Sequence, residues 1–467
     1  MLKLQSEPLT FEGHLAVEAH DDPHFVARIQ YAPFDPTTLA VDLHWLGAGG
    51  AERVGSALIA RGGKNYVWLY ALDESELQVE VLGIRGITAR ERDTSINASA
   101  VQIGLTRTPL ETDLRYVLSV QLQPSGILIH PGIHEYSFTG EISVDRRDER
   151  PVHVESTVGQ LRAMELYRHY ATSEYGDEVT HSVRRAAIGG ELLVRAGENL
   201  FDFNERLRAE LDAICAVLSL CYRQLVDYYE VEYLPIDQGP DQPRRRRATV
   251  RRRHERAREK IRQDELIHID ALADGGLDRL VARIRSDPAA EIINRAIRFL
   301  AASYEQNTEA AFFMAFSAME AVVECCVPPA LTRVVGSAAW RKIEHELRKV
   351  LDDLAPETTV EMMKSKLPEL RRAALPDRMK GACAAYGPPI DDLWPEKVGF
   401  AAGLAAAIGM RNGLFHSADV PDSYDLGANL VRIRTLTERL LLKRLGWPDD
   451  KRWVWYDQNL KWINTGG

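Results

Sequence analysis

Arg411-Asn412-Gly413-Leu414-Phe415-His416 follows an apolar stretch in which Leu404, Ile408 and Phe415 recur at helical spacing. That spacing, about 100° per residue, predicts a helix over about 397–410 with the polar residues gathered at its end. Reading outward, Asp422 or Ser423 caps a last long helix carrying Leu426, Leu430, Ile433 and Leu440 on one stripe, which Trp447-Pro448 ends because proline cannot continue the ladder. Upstream, a helix is expected over about 289–304. Thr308 is expected to cap the next, with Phe312, Phe316, Met319 and Val323 on one face, and another covers about 339–354. Several helices with short connections read as an all-α bundle over 289–446, followed by a tail, 447–467, with Trp453, Trp455 and Trp462.

The N-terminal third has a different period. Leu77, Val79 and Val81 alternate with Gln78 and Glu80, and Leu118, Val120 and Leu122 alternate with Ser119 and Gln121. Tyr136, Phe138, Ile142 and Val144 keep the same two-residue beat, which wets one face of a sheet and buries the other. A β-rich segment, 1–148, is expected to close as an antiparallel sandwich or open barrel, with the charged stretch 145–150 as linker. The middle, 149–288, is mixed: strand-like around 186–194, then a strong helix over about 203–223 with Asp202 as cap and Leu207, Leu211, Ile214, Leu218 and Cys221 on one stripe. The fold class is therefore α+β and multidomain: sandwich-like β segment, mixed middle, helical C-terminal bundle.

Composition narrows the function classes. The chain has 467 residues, 45% hydrophobic and 27% charged, and a net charge of -10, so any attraction for nucleic acid must be local. Five cysteines without regular spacing do not make a disulfide framework; they are expected to be free thiols in a reducing cytoplasm. The mixed polar start is no signal peptide, and no apolar run approaches the roughly 20 residues of a membrane span.

At the end of the predicted helix, Asn412 and His416 fall on nearly one face and the long Arg411 side chain reaches the same place. Histidine shuttles protons near neutral pH, arginine offers a positive fork to a phosphate gaining charge, and asparagine orients either. This is the set that phosphodiester cleavage needs, and no carboxylate cluster with metal-ligand spacing lies nearby, so neither metal nor cofactor is expected.

The segment resembles the signature of HEPN domains, an arginine followed by a polar residue, a few further positions, then histidine. Phe316-Ser317-Ala318-Met319-Glu320-Ala321-Val322 is similar to the family's upstream helix, with Glu320 at the edge of the apolar stripe where it can meet Arg411 or His416. The layout is similar to the ApeA-like HEPN proteins of bacterial anti-phage defence, closely over about 289–445 and in architecture alone before that. The resemblance implies a metal-independent endoribonuclease, Arg411, Asn412, His416 and Glu320 as site residues, a homodimer whose motifs form a composite cleft, and a β-rich segment that reads a phage product. The alternative is a non-catalytic dimerisation and RNA- or nucleotide-binding module. An opening shared by two subunits favours the nuclease, and capping of Arg411 and His416 by internal salt bridges favours the module.

A second RNA contact is expected in the insertion 240–262. Arg244, Arg245, Arg246 and Arg247 are followed by Arg251, Arg252 and Arg253, and residues 244–262 hold eleven basic and two acidic side chains. That density suits phosphate backbones through counterion release; the bland reading is a disordered or exposed helical insertion. Gly47-Ala48-Gly49-Gly50 lacks the Lys-Ser/Thr of a phosphate loop, His20 and His24 have no third metal ligand, and His130 and His134 straddle a turn. The tail tryptophans are expected to pack on the bundle rather than form a platform.

Overall fold

The alternating segments form antiparallel strands and the 3.6-period segments form helices. The computed structural model describes residues 9–16, 25–31, 40–45, 69–72, 78–89, 95–106, 115–124, 133–136, 142–145, 152–174, 177–193, 195, 200–235, 248–252, 265–354, 357–416, 422–448 and 460–464. The chain divides into two compact units. One is Met1–Val217, Val226–Arg262 and Ile269–Val281; the other is Leu218–Leu225, Gln263–His268 and Ala282–Gly467.

The first unit is built on strands β1 (Leu9–Ala16), β2 (Phe25–Tyr31), β3 (Ala40–Trp45), β4 (Leu69–Leu72), β5 (Gln78–Ala89) and β6 (Ser95–Thr106). Where alternation predicts a sandwich or an open barrel, the ladder closes on itself: β1 pairs with β2 and β4, β3 with β2 and β6, and β5 with β4 and β6. A register shift in the β5–β6 pairing, between Arg85 and Thr88, supplies the local bend that closure needs. The free edge of β6 is shared. Its first half takes β3, and its second half takes β14 (Ala248–Arg252). From there the ladder continues through β13 (Asp227–Pro235), β7 (Arg115–Gln123), β12 (Asp177–Leu193), β11 (Gly159–Glu174) and β10 (Val152–Ser156). The segment boundary expected near residue 148 falls inside this ladder. Strands β8 (Ile133–Tyr136) and β9 (Ile142–Asp145) pair separately, and of the expected 145–150 linker only Asp145 is among the described residues.

Strand β7 lies between β12 and β13, and its Leu118, Val120 and Leu122 are fully buried. Helix α1 (Leu200–Tyr222) buries Leu207, Leu211, Ile214, Leu218 and Cys221, and nearly all its residues beyond Leu211. A helix apolar on all sides belongs in a core. It starts at Leu200, so Asp202 lies inside the first turn and is not the cap. Phe203 meets the Tyr233 ring edge-on at 5.6 Å, and buried Glu210 accepts from the Thr157 backbone N at 3.1 Å and from its hydroxyl at 2.7 Å.

The second unit is helical. After α2 (Leu277–Ser286), which the division crosses, come α3 (Ala290–Ser303), α4 (Thr308–Cys326), α5 (Ser337–Leu354), α6 (Glu357–Leu370), α7 (Leu375–Tyr386), α8 (Gly399–His416) and α9 (Ser423–Arg444). Helix α4 packs against α3 and α9, and Phe312, Phe316, Met319 and Val323 of α4, Ile293, Ile297 and Leu300 of α3, and Ile433 and Leu440 of α9 are all buried. Burying each such side chain contributes about 1.5–3 kcal/mol before ordering costs. Asp422 caps α9, accepting from Tyr424 N at 2.8 Å. Thr308 is the first helical residue of α4, not its cap; Asn307 holds the cap position without a side-chain bond. Helices α6 and α7 add to those expected from periodicity. No described helix is long and apolar enough to cross a membrane.

Candidate functional site

Helix α8 reads Gly-Phe-Ala-Ala-Gly-Leu-Ala-Ala-Ala-Ile-Gly-Met-Arg-Asn-Gly-Leu-Phe-His, and only Gly403, Leu404 and Ala407 of its described side chains are buried. It is anchored at Gly403, where an added Cβ would lie 2.3 Å from the Trp394 ring. Trp394 in turn meets Phe400 edge-on at 5.6 Å and donates from Nε1 to Asn429 Oδ1 of α9 at 3.3 Å. One turn beyond Ala407 comes Arg411. The helix runs on past the expected end at 410 through His416, so the motif lies within its last turns.

Two contacts fix that end against α4. Arg411 Nη2 donates to Glu320 Oε1 at 3.2 Å, and the Phe415 and Phe313 rings meet with centroids 4.9 Å apart. Residues 411 and 415 are one turn apart on α8, and 320 and 313 are two turns apart on α4 in the reverse direction, so the helices run antiparallel here. Arg411 also donates from Nη1 to Asn412 Oδ1 at 3.1 Å, and its guanidinium carbon stands 5.2 Å from the Phe415 ring centroid. Arg411 Nε is buried and has no partner among the described residues.

The cluster is open to solvent on one side. Arg411 is 29% exposed and Glu320 39%. A half-exposed ion pair is worth about 0–1 kcal/mol at most, so this pair orients the guanidinium more than it stabilises the fold. The Glu320 carboxylate also offsets the positive charge of the guanidinium.

Arg411, Asn412 and Glu320 therefore come together. His416 closes α8, and its side chain lies outside the described residues. The expected stripe of Leu404, Ile408 and Phe415 is corrected: Leu404 is buried, Ile408 is half-buried, and Phe415 is 42% exposed beside Phe313 at 41%. Position 415 is turned from the buried side toward Arg411, which is why the ring packs on the guanidinium. Sequence reading missed Phe313, although its position two turns before Glu320 is a usable signal.

Arg251 and Arg252 lie in β14, a strand, where an unstructured or helical insertion was the bland expectation. Arg244, Arg245, Arg246, Arg247 and Arg253 lie outside the described residues, as do His20, His24, Gly47 to Gly50, His130, Trp453 and Trp455. His134 is in β8. In the tail, Leu460 is buried but Trp462 is 60% exposed, against the expectation that it packs. Among the described residues no group of three or more His, Cys, Asp or Glu is placed to hold a metal ion. Comparison with protein-family models, curated proteins and solved structures finds no match to this chain.

Proposed function

We propose that the helical C-terminal part is a HEPN-type domain and that the chain is a metal-independent endoribonuclease effector of bacterial anti-phage defence. The observation that carries this reading is the Arg411–Glu320 pair at the end of a helix whose next residues supply Asn412 and His416. A guanidinium oriented by a carboxylate on Nη2 and a carboxamide on Nη1 keeps a second N–H on each of these nitrogens for phosphate, and costs little reorganisation when charge develops. In the reaction the ribose 2′-oxygen bonds to phosphorus, and the bond from phosphorus to the 5′-oxygen breaks. A base takes the 2′-hydroxyl proton and an acid protonates the leaving 5′-oxygen, giving a 2′,3′-cyclic phosphate and a 5′-hydroxyl. His416 is the acid or base, Arg411 holds the phosphate, Asn412 positions one of them, and Glu320 positions Arg411.

A homodimer supplies both proton carriers. The outward face of α8 carries exposed Ala401, Ala402, Ala405, Ala406 and Gly409, with Asn412 next in line and position 416 one turn further. A helix apolar on every side wants a partner, and small side chains let a second helix come close. An isologous pairing through this face sets two copies of the motif opposite each other. Arg244, Arg245, Arg246, Arg247, Arg251, Arg252 and Arg253 add sequence-blind phosphate affinity, the β-rich segment reads a phage product, and the protein works in the cytoplasm.

A second reading, a non-catalytic dimerisation and RNA- or nucleotide-binding module, is favoured by one observation: Arg411 is already engaged by an internal carboxylate. Fragment ends separate the two. Total RNA incubated with purified protein is expected to yield fragments with cyclic phosphate and 5′-hydroxyl ends, absent with His416→Ala. Intact RNA, or 5′-phosphate ends, would reject the nuclease reading.

A further inference from the structure

Phe313 of α4 and Phe415 of α8 are 41% and 42% exposed, and their ring centroids lie 4.9 Å apart at an interplanar angle of 55°. A single apolar side chain at a surface is ordinary, but two aromatic rings in contact with each other and with solvent form a patch. The surface around it is polar. Glu309 is exposed one turn before Phe313 on α4, and Ser317 and Glu320 follow it half-buried. On α8 the neighbours of Phe415 are Arg411, one turn back, and exposed Asn412. Two rings are far smaller than the roughly 800 Å² that each partner buries in a stable protein interface, and they match one flat ligand ring. Phe415 also lies about 100° round α8 from position 416, so it borders the small-residue face of that helix and is not part of it.

The rings adjoin a phosphate-binding group. The Arg411 guanidinium carbon stands 5.2 Å from the Phe415 centroid, and Asn412 and Glu320 orient Nη1 and Nη2. A phosphate on the remaining N–H groups of these nitrogens sits beside the rings, within reach of the base of the same nucleotide. Every base has a π-face, so stacking on phenylalanine suits all four, and a guanidinium next to the stack adds cation–π attraction. The carboxylates limit how the strand lies. Glu309 and Glu320, on either side of Phe313 along α4, disfavour further phosphates there, so this part of the surface meets one phosphate and one base.

We propose that Phe313 and Phe415 form a nucleobase-stacking subsite beside the Arg411 phosphate site, filled by an unpaired base of single-stranded RNA. This rests on the reading of Arg411 as the group that holds the phosphate. Phe313 is the platform, and Phe415, in contact with both Phe313 and the guanidinium, sets its position. The subsite recognises a flat ring and no particular hydrogen-bonding edge. It therefore favours unpaired RNA over duplex, whose bases are already stacked, and discriminates little among the four bases.

The test uses the full chain and short fluorescein-labelled oligonucleotides O-methylated at every 2′-position, which cannot be cut by 2′-oxygen attack. One strand carries bases and the other is the same backbone with abasic sites; anisotropy at fixed salt gives both dissociation constants. Wild type is expected to bind the base-bearing strand more tightly by about tenfold or more. Phe313→Leu, which keeps an apolar side chain against Phe415, lowers that ratio by about tenfold and leaves the affinity for the abasic strand unchanged, whereas Phe313→Tyr keeps the ratio. Circular dichroism melting checks that each variant is folded. A wild type that binds both strands alike overturns the subsite, and so does a ratio unmoved by Phe313→Leu. A dimer that Phe313→Leu dissociates, with the ratio unmoved, assigns the rings to a subunit seam instead. Fragment ends on unmodified RNA decide the nuclease reading separately. Cleavage without a base preference removes the subsite alone, and a Phe313-dependent base preference without cleavage removes the nuclease alone.

Discussion

Arg411 is shared among a carboxylate, a carboxamide and an aromatic face, and each partner limits it differently. Glu320 holds one nitrogen through a charge-assisted bond. Its replacement, Glu320→Gln, keeps the shape and removes the charge. Because the pair is half exposed, the melting free energy should change by less than about 1 kcal/mol. The loss of orientation should instead appear in turnover, as about a tenfold to hundredfold fall, the equivalent of one charged hydrogen bond. Parallel melting and cleavage measurements check this, and an unchanged rate would make Glu320 merely a surface partner. At this scale the sequence was informative about Arg411 and Asn412, which sit together at one helix end, and about Glu320 only through the resemblance of its helix. It was not informative about Phe313 and Phe415, whose contact depends on the antiparallel crossing of α4 and α8 and not on either helix alone.

The helices carry two further expectations. Gly403→Ala drives a methyl into the Trp394 ring, and should cost about 1–3 kcal/mol and displace the α8 end that bears the motif. Gly409 has nothing within 4 Å of an added Cβ, so Gly409→Arg should leave the subunit folded while blocking the small-residue face. Light scattering should then find wild type as a dimer and Gly409→Arg as a monomer without cleavage; a monomeric wild type that cleaves would remove the dimer. The buried network on α9 is a stability element instead. Arg223, at φ 49°, makes a two-pronged bond to Glu438 at 2.7 and 2.9 Å, and the Tyr304 hydroxyl donates to the same carboxylate at 2.5 Å. Both charged side chains are almost wholly buried, so Glu438→Ala removes the carboxylate that neutralises a buried guanidinium and should cost about 3–5 kcal/mol in urea unfolding. Helix stripes and the Asp422 cap were legible because they are local. The Arg223–Glu438 pair, separated by most of the second half of the chain, leaves no periodic trace.

Across the whole chain, a net charge of -10 coexists with eleven basic residues within 244–262. Replacing Arg244, Arg245, Arg246 and Arg247 with Gln should weaken binding of all RNA sequences alike and flatten its salt dependence by up to about one unit of slope per lost phosphate contact. Measured by titrating labelled RNA at several salt concentrations, an unchanged slope would reduce the tract to a solubilising feature. Strand alternation was enough to foresee antiparallel pairing, but not ring closure: β6 divides its edge between β3 and β14, and nothing in the local pattern of Gln102 to Thr106 announces a partner that lies so far along the chain. The central claim concerns Arg411 and His416 acting on a phosphodiester. The most direct test is the rate of RNA cleavage in excess chelator for wild type, Arg411→Ala and His416→Ala, each verified as folded. The account predicts that wild type cuts at its full rate and both variants lose at least about a hundredfold; equal rates in all three proteins would contradict it.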